Sequence, residues 1–321
     1  MKAVVYTKYG LPNVLQLQEV EKPIPKDHEV LVKIHAVSVN SWDWDLLTGK
    51  PFLYRILSGL SKPKFNILGS DIAGRVEAVG QNVTHFKPGD EVFGDICNNW
   101  GGFAEYACAP ENLLMLKPQG MSFEQAAAIP QAAVLAWQAL QDIRPVKRGD
   151  KVLINGAGGG VGTFAIQMAK ALGAEVSAVD SAEKLTLLQS LGADHVIDYK
   201  LIDFTNSNNQ YHLIIDVVAH HSIFQYKKAL LPNGILVVVG GKISSIFQAG
   251  VFGSLLSVGG SKKMGILMHK PNKNLEMISQ LFESGKVVPV IDKCYKLNEV
   301  PEALLRIGEG RVQGKIVISV V

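Results

Sequence analysis

A turn of seven residues, five of them glycine, constrains the fold of this chain more than any other stretch. It follows an apolar segment at 152–154 and reads Gly156-Ala157-Gly158-Gly159-Gly160-Val161-Gly162. After it, apolar residues recur at helical spacing as far as Leu172, and Gly173 ends the pattern. A second apolar segment then ends on Asp180. The order of strand, tight turn, helix and strand predicts a βαβ unit of about 30 residues.

The glycines of this turn are typical of a dinucleotide-binding site. Glycine lets the backbone bend sharply, approach a pyrophosphate and seat the helix close to the strand, and amides at the helix start bind the phosphates. Asp180 lies about 20 residues on, where an acidic side chain accepts hydrogen bonds from the adenosine ribose. We therefore expect the cofactor to be bound by Gly156, Gly158, Gly159, Gly160, Val161, Gly162 and Asp180.

Composition limits the classes of protein to consider. Of the 321 residues, 47% are hydrophobic and 19% are charged, which is typical of a folded protein with real cores. The net charge of +3 gives no argument for nucleic acid or an anionic membrane, so we expect neither as a partner. Cys97, Cys108 and Cys294 lie far apart without CxxC spacing, and the N-terminus lacks the apolar segment of a signal peptide. Both features predict a cytoplasmic protein in a reducing compartment.

The pattern of the chain changes near residue 122. Before it, short apolar runs broken by turn residues predict an all-β module, with strands near 4–5, 30–39, 75–79, 91–94, 103–108 and 113–116. Ser122 and Gln125 form a capping-box pattern, and Pro130 interrupts before a helix at 132–141. From residue 151, helices alternate with continuously apolar strands at 152–155, 176–179, 196–197, 213–218, 235–239 and 264–267. Such strands predict a doubly wound parallel sheet.

Four motifs spread over the chain carry a family resemblance. They are Gly74-Arg75-Val76-Glu77-Ala78-Val79-Gly80, Pro88-Gly89-Asp90, Gly102-Phe103-Ala104-Glu105-Tyr106 and Gly314-Lys315-Ile316-Val317. With the glycine turn, they resemble the medium-chain dehydrogenase/reductase superfamily and its zinc-independent quinone oxidoreductase branch. The resemblance implies an α/β fold: a GroES-like β module at 1–121, a Rossmann domain at 122–268 and a tail at 269–321 that returns to the first module. It also implies that nicotinamide and substrate meet in a cleft between the two domains.

Zinc-dependent relatives have three catalytic ligands that this chain lacks. They need an early cysteine, a histidine in a Gly-His-Glu motif and a further Cys or His before the nucleotide domain. The corresponding stretches here read Ser38-Val39-Asn40 and Gly69-Ser70-Asp71, and residues 131–140 contain neither Cys nor His. Because Ser and Asn are poor zinc ligands, we expect no metal.

The absence of these ligands predicts which reactions remain open. Without a Lewis acid, reduction of a simple ketone lacks its main source of charge stabilisation. Hydride addition to an enone or a quinone leaves an anion with delocalised charge, which a few hydrogen-bond donors stabilise. We therefore expect an NAD(P)H-dependent oxidoreductase that reduces quinones or α,β-unsaturated carbonyls without zinc.

The resemblance implies two catalytic candidates. Asn40 matches an asparagine on the substrate side in the family, and the alternative role of a turn-capping residue at a strand end stays open. Many relatives carry a tyrosine soon afterwards as proton donor, but Asp43, Trp44 and Asp45 stand there in this chain. Tyr54, further along, is the candidate donor, with solvent as the alternative.

Residues beyond the turn give conflicting signals about the cofactor. Gly240 and Gly241 resemble the loop whose backbone meets the nicotinamide carboxamide. Asp180 favours a free ribose 2′-hydroxyl and so NADH. In the family's NADPH enzymes, the 2′-phosphate is held at positions matched here by Lys184, Tyr199 and Arg311. We therefore expect use of both NADH and NADPH.

Two other functions stay open. An enoyl-thioester reductase of the same superfamily would want a basic entrance, for which Lys262 and Lys263 are candidates, although the tyrosine expected of that group is displaced. A non-catalytic NAD(P)H-binding sensor would account for that missing tyrosine and for Ala219 and Leu135, which replace a glycine and a threonine common in relatives. The resemblance also makes a homodimer a reasonable assembly.

Overall fold

The strands form two large sheets, one mainly antiparallel and one parallel. The computed structural model describes residues 1–97, 99–257 and 261–320. The chain divides into two units. Unit 1 comprises Met1–Gln131, Pro271–Ser279 and Ile291–Val321, and unit 2 comprises Ala132–Lys270 and Gln280–Val290. This division follows Gln131 rather than residue 121, and the limits of the functional domains stay a prediction.

Strands form the main sheet of unit 1 and the centre of unit 2. In chain order they are β1 Lys2–Val5, β2 Gln16–Glu19, β3 Glu29–Val39, β4 Asp71–Val79, β5 Glu91–Asp95, β6 Tyr106–Pro110, β7 Met115–Leu116, β8 Lys151–Asn155, β9 Glu175–Asp180, β10 His195–Asp198, β11 Tyr211–Asp216, β12 Leu230–Val238, β13 Lys263–Ile266, β14 Ile291–Lys296 and β15 Lys315–Ser319.

The helices are concentrated in the second half of the chain. They are α1 Ser41–Thr48, α2 Leu53–Ser58, α3 Phe123–Ala128, α4 Pro130–Gln141, α5 Gly160–Ala171, α6 Leu185–Ser190, α7 Ile223–Ala229, α8 Ile243–Ser257, α9 Leu275–Glu283 and α10 Val300–Gly308. Short 3-10 helices lie at Pro12–Val14, Glu111–Leu113, Ala182–Lys184, Phe204–Asn206 and Leu297–Glu299. None of the described helices is long and apolar enough to cross a membrane.

The register of the unit 1 sheet collects polar residues at one end. The strand order is β14-β15-β3-β4-β5-β7, with β6 also paired to β3, and β1 pairs with β2 separately. Ser38 of β3 lies opposite Asp71 of β4, which in turn lies opposite Asp95 of β5. Ile316 of β15 pairs with Val39, so the preceding Lys315 lies at the same end. Four strands therefore bring a charged or polar residue to one place, beside a large apolar core.

Unit 2 is built on a six-stranded parallel sheet of order β10-β9-β8-β11-β12-β13. Numbered from β8, this is the 3-2-1-4-5-6 order of the dinucleotide-binding fold. Its central strands are apolar throughout, and Val152, Leu153 and Ile154 are fully buried, as a sheet covered on both faces requires. The strand order reverses between β8 and β11, where ligands bind in such sheets. The predicted α/β class, with a β module and a doubly wound sheet, is confirmed.

Several local predictions are wrong. Helices α1 and α2 and strand β2 were not predicted. Helix α1 contains two Trp and two Asp, which are weak helix formers. This helix is stabilised by packing of the buried Leu46 and Leu47 rather than by its intrinsic propensity. Pro130 separates α3 from α4 as predicted, but α4 begins at Pro130 itself rather than at residue 132, because a proline at the first helical position lacks only an N–H that needs no partner. β12 begins at Leu230 rather than near residue 235, with a shift of register against β11.

We expect Gly74→Ala to destabilise the sheet of unit 1. Gly74 lies in β4 opposite Ile34, and a Cβ there would stand 2.2 Å from the Lys33 carbonyl oxygen. Overpacking of this kind lowers the free energy of unfolding by about 1–3 kcal/mol. A Cβ on Gly265 in β13 would meet no described atom within 4 Å, so Gly265→Ala should change it by less than about 0.5 kcal/mol. Urea denaturation measures both, and equal effects would contradict the close approach of β3 and β4.

Candidate active site

Backbone conformation at one position and close packing at another require glycine in the turn between β8 and α5. Gly156 has a φ of 80°, a left-handed conformation that favours glycine. A Cβ on Gly162 would lie 2.5 Å from the Cα of Ala157, so the first turn of α5 packs directly on the loop. Because the first amides of a helix have no acceptor within the helix, this arrangement presents N–H groups and the positive end of the helix dipole. The geometry fits a pyrophosphate.

Asp180 holds the turn from the end of β9. Its carboxylate accepts hydrogen bonds from the N–H of Gly158 and of Ser181, each at 2.8 Å. The Lys184 ammonium lies 3.3 Å from the same carboxylate, and both side chains are largely buried. The two residues that gave opposite signals about the cofactor therefore form an ion pair.

The other predicted cofactor residues lie in different places. Tyr199 follows β10, its N–H donates to the Asp180 carbonyl oxygen at 3.2 Å, and its side chain is exposed. Arg311 belongs to unit 1, where its guanidinium is exposed and lies 3.5 Å from Glu309. Lys184 thus contacts Asp180 through its side chain, and Tyr199 contacts Asp180 through its backbone N–H. The Lys262 ammonium, a candidate for a basic entrance, donates to the Lys227 carbonyl oxygen at 2.7 Å.

Gly240 and Gly241 form a tight turn after β12 that returns to the segment after β11. Gly241 has a φ of 126°, and a Cβ on it would stand 2.2 Å from the amide nitrogen of Ala219. The Ala219 N–H donates to the Gly240 carbonyl oxygen at 3.0 Å, and the Lys242 N–H donates to the Ala219 carbonyl oxygen at 2.8 Å. Glycine is required at Gly241 by this close approach, whether or not a ligand binds beside it.

A polar group not foreseen from the sequence fixes the carboxyl ends of β8 and β11. Asn155 donates through Nδ2 to both carboxylate oxygens of Asp216, at 3.0 and 3.1 Å. The Tyr226 hydroxyl donates to Asp216 at 2.6 Å, and the Val218 N–H donates to it at 3.0 Å. Burial raises the pKa of Asp216, and these hydrogen bonds oppose that rise. In the sequence, each of these two apolar strands ends in a polar residue, Asn155 or Asp216. This pattern was the signal that could have identified the group.

In unit 1, Asn40 lies between a buried acid and a buried base. Its Nδ2 donates to the Asp71 carboxylate at 3.0 Å, and its Oδ1 accepts a hydrogen bond from the Lys315 ammonium. The same Asp71 oxygen accepts from the Ser38 hydroxyl at 3.2 Å, and Lys315 Nζ lies 3.7 Å from it. Asn40 also precedes α1, but the carboxylate of Asp43, not the Asn40 side chain, closes that helix end by accepting the Asn40 N–H at 2.8 Å.

The charges of this cluster are unusually buried. Asp43 also accepts the Gly69 N–H at 2.9 Å, and burial raises its pKa to about 7 despite these two bonds. Burial, together with the nearby charge of Asp95, raises the pKa of Asp71 to about 6, while Lys315 acts in the opposite direction. Burial lowers the pKa of Lys315, and the surrounding carboxylates oppose that shift.

Tyr54 lies on α2, and Asp45 of α1 is close enough to influence the pKa of its hydroxyl. Partial burial is the main cause that raises the pKa of Tyr54 to about 12, with the charge of Asp45 adding to it. The same burial raises the pKa of Asp45 to about 6. Tyr54 is a phenol at neutral pH, as an ordinary tyrosine is, and its raised pKa makes it a weaker acid than an exposed one.

Comparison with known proteins agrees with this geometry. The family model described as Alcohol dehydrogenase GroES-like domain matches residues 26–119, Alanine dehydrogenase/PNT, C-terminal domain matches 124–225, and Zinc-binding dehydrogenase matches 191–318. The 2-methylene-furan-3-one reductase of Solanum lycopersicum is 34% identical over 99% of this chain and 79% of its own. The mitochondrial NAD(P)H oxidoreductase RTN4IP1 of Bos taurus is 32% identical over 100% of this chain and 89% of its own. The chain belongs to the medium-chain dehydrogenase/reductase superfamily.

Within this superfamily the chain is quinone-oxidoreductase-like. Its structure superposes on that of the quinone oxidoreductase from Coxiella burnetii with a TM-score of 0.90 and 31% identity, covering 100% of this chain and 99% of that chain. The family resemblance seen in the sequence motifs is confirmed, and with it the GroES-like module followed by a Rossmann domain.

Zinc-dependent members of the medium-chain dehydrogenase/reductase superfamily hold their metal with Cys and His, and the residues here do not fit that role. The stretches that correspond to the ligand positions, 38–40, 69–71 and 131–140, contain neither Cys nor His, and the Ser and Asn found there are poor zinc ligands. The Asn40 oxygen is also bonded to the Lys315 ammonium, a cation that repels a metal. In the parts of the chain that the structure describes, no three His, Cys, Asp or Glu side chains are grouped to hold a metal ion.

We expect Lys315→Met to destabilise unit 1 strongly. The substitution leaves Asp71 without its opposite charge and the Asn40 oxygen without its donor, both fully or nearly buried. Removing one partner of a buried ion pair lowers the free energy of unfolding by about 3–5 kcal/mol. Lys293→Met is the control, because its half-exposed ammonium pairs with Glu302 at 3.4 Å and should contribute less than about 1 kcal/mol. Urea denaturation measures both, and similar losses would refute a special role for Lys315.

Proposed function

We propose that the protein reduces quinones or α,β-unsaturated carbonyls with NADH or NADPH, by hydride transfer and without zinc. The observation that carries the proposal is a dinucleotide-type glycine turn in a chain whose stretches at the zinc-ligand positions, 38–40, 69–71 and 131–140, contain neither Cys nor His. The names of similar proteins, among them a quinone oxidoreductase and a furanone reductase, support the same class of substrate.

The residues of unit 2 bind the dinucleotide in this proposal. Gly156, Gly158, Gly159, Gly160, Val161 and Gly162 meet the pyrophosphate, Asp180 and Lys184 the ribose end, and Gly240 and Gly241 the nicotinamide carboxamide. Once bound, reduced nicotinamide supplies the hydride. The natural acceptor is a small molecule, and we propose a cytoplasmic homodimer as the working form.

A conjugated acceptor follows from the charge that the chain must stabilise. When the β-carbon of an enone or the ring of a quinone accepts a hydride, the negative charge spreads over an enolate or hydroquinone anion. Neutral hydrogen-bond donors are then enough to stabilise that charge, whereas an alkoxide from a simple ketone requires a Lewis acid.

Turnover of a panel of acceptors tests the proposal. The loss of reduced-nicotinamide absorbance is followed with quinones, enones, enoyl thioesters and simple ketones, with and without a chelator. We expect turnover of quinones and enones that survives chelation. Loss of turnover on chelation would contradict a zinc-independent reaction, and tight dinucleotide binding with no turnover of any acceptor would favour a sensor.

We expect Lys184→Met to act on the choice of cofactor. Lys184 neutralises Asp180, so its removal leaves a carboxylate that repels a 2′-phosphate but not a 2′-hydroxyl. The kcat/KM for NADPH should fall at least about tenfold while that for NADH changes less than about threefold. Lys170→Met removes a comparable ion pair with Asp194 and should affect the two cofactors equally. A parallel loss for NADH and NADPH in Lys184→Met would contradict a role at the 2′ position.

Tyr54→Phe tests the proposed proton donor. An enolate is a stronger base that must gain a proton at carbon, whereas the delocalised hydroquinone anion takes its proton readily from solvent. We expect kcat for enones to fall about 10²-fold and kcat for quinones to stay within about threefold. The two rates are measured under saturating cofactor. Unchanged enone turnover would identify solvent as the proton source.

A further inference from the structure

One face of helix α2 in unit 1 carries large apolar side chains that are exposed to solvent. Phe52, Leu53, Ile56 and Leu60 are 58–63% exposed. Phe52 has helical backbone angles and lies four residues before Ile56, and Leu53 lies three before it, so the three side chains share one helix face. Leu60 follows directly after the helix. Single exposed apolar residues are common in proteins, whereas a group of this kind marks an interaction surface. We call these four residues the apolar face of α2.

The other side of α2 is fixed to the rest of unit 1. The Ser58 hydroxyl is hydrogen-bonded to the Tyr9 hydroxyl at 3.0 Å, and the Tyr9 hydroxyl donates to the Gly59 carbonyl oxygen at 2.5 Å. The Arg55 guanidinium lies 4.6 Å from the centre of the Tyr9 ring, and its Nε donates to the Gly49 carbonyl oxygen at 3.2 Å. These contacts hold the helix in place, so its apolar face stays directed to solvent.

The chain around the apolar face is basic. Lys50, Lys62 and Lys64 are exposed, and no acidic residue lies between Asp45 and Asp71 in the sequence. A Cβ on the glycine that ends α2 would stand 2.1 Å from the Lys62 carbonyl oxygen, so this lysine lies beside the helix end. We call the three lysines the basic rim. The net charge of +3 hides this local excess, which is why composition gave no argument for an anionic membrane.

A lipid bilayer fits this surface better than a protein partner does. Four side chains of this exposure present on the order of 400 Å² of apolar surface, about half of what each side of a stable protein interface buries. A bilayer requires no matching groove, because exposed apolar side chains enter the boundary between headgroups and acyl chains. Lysines beside them are attracted to anionic headgroups. The apolar face and the basic rim therefore complement a negatively charged lipid surface.

We propose that the apolar face of α2 inserts into the surface of an anionic lipid bilayer and that the basic rim binds its headgroups. The binding is peripheral and reversible, because a short helix and three lysines supply two weak signals rather than a membrane span. This inference goes beyond the proposed reduction, which concerns unit 2 and its dinucleotide. Peripheral binding would bring the protein to the phase in which apolar quinones dissolve.

Sedimentation with lipid vesicles tests the proposal without turnover. The wild-type protein is mixed with vesicles of phosphatidylcholine alone, or of equal parts phosphatidylcholine and phosphatidylserine. We expect at least about tenfold tighter binding to the anionic vesicles at low salt, and loss of most of this preference at about 0.5 M NaCl. Lys62→Gln combined with Lys64→Gln should remove the preference as well. Equal binding to both kinds of vesicle, or binding to neither, would overturn the proposal.

Leu53→Ser combined with Ile56→Ser removes the centre of the apolar face. We expect the affinity for anionic vesicles to fall at least about tenfold, with little change in the thermal midpoint because both side chains are exposed. Leu17→Ser combined with Ile24→Ser is the matched control, since it changes the same residue types at positions that are 45% and 84% exposed, next to Glu21. The control should bind like the wild type. An equal loss in both variants would show unspecific adhesion of apolar residues and would contradict a site at α2.

Two measurements without lipid test the other occupants of this face. The oligomeric state and the kcat/KM for a water-soluble quinone are compared between the wild type and the Leu53→Ser, Ile56→Ser variant. We expect the same oligomeric state and a kcat/KM within about threefold. Dissociation of a dimer in the variant would identify the face as an interface between copies, and a fall in kcat/KM of about tenfold or more would identify it as a wall of the substrate site. Either result would overturn the membrane proposal. Anionic-vesicle binding by a wild-type protein that reduces no acceptor would support this proposal and overturn the proposed reaction.

Discussion

The close packing of α5 on the turn that precedes it is the constraint on which the proposed chemistry of unit 2 depends. With no room for a Cβ on Gly162, the helix begins directly above Ala157, and its first amides face the space beside the turn. Asp180 holds this shape by binding the Gly158 N–H, and Lys184 neutralises Asp180. In the proposed function, this ion pair is what makes a carboxylate that alone would repel a 2′-phosphate compatible with either cofactor.

In unit 1, protein groups rather than a metal stabilise the buried charges. Zinc-dependent relatives stabilise charge with a metal, whereas this chain places the buried ammonium of Lys315 against Asn40 and Asp71. A buried lysine is costly unless it is paired, and Asp71 and the Asn40 oxygen supply that pairing. The cluster thus keeps a positive charge in the protein interior without a metal ligand set. Hydrogen-bond donors and a fixed cation suit acceptors whose charge is delocalised.

The sequence was sufficient for the features that depend on local pattern. The continuously apolar runs identified the six parallel strands, and the glycine turn identified the first βαβ unit, because both follow from burial and backbone geometry. The sequence was insufficient for contacts between residues that are distant in the chain, and for contacts that depend on the direction of a side chain. Asn40 and Lys315 are 275 residues apart, and nothing in their local sequences shows that they touch. The pairing of Lys184 with Asp180 likewise depends on side-chain direction, which is why the two residues gave opposite signals about the cofactor.

Titration of NADH and NADPH into Gly159→Ala, followed by calorimetry, tests most directly whether the turn is the dinucleotide site. Gly159 has ordinary extended backbone, and a Cβ on it would come no closer than 3.6 Å to the Gly156 carbonyl oxygen, so the protein itself has room for the methyl group. The free energy of unfolding without cofactor should therefore change by at most about 1 kcal/mol. A bound pyrophosphate would meet that methyl group, and the affinity for both cofactors should fall at least about tenfold. Unchanged affinity in a stable Gly159→Ala protein would show that the pyrophosphate binds elsewhere and would contradict the account.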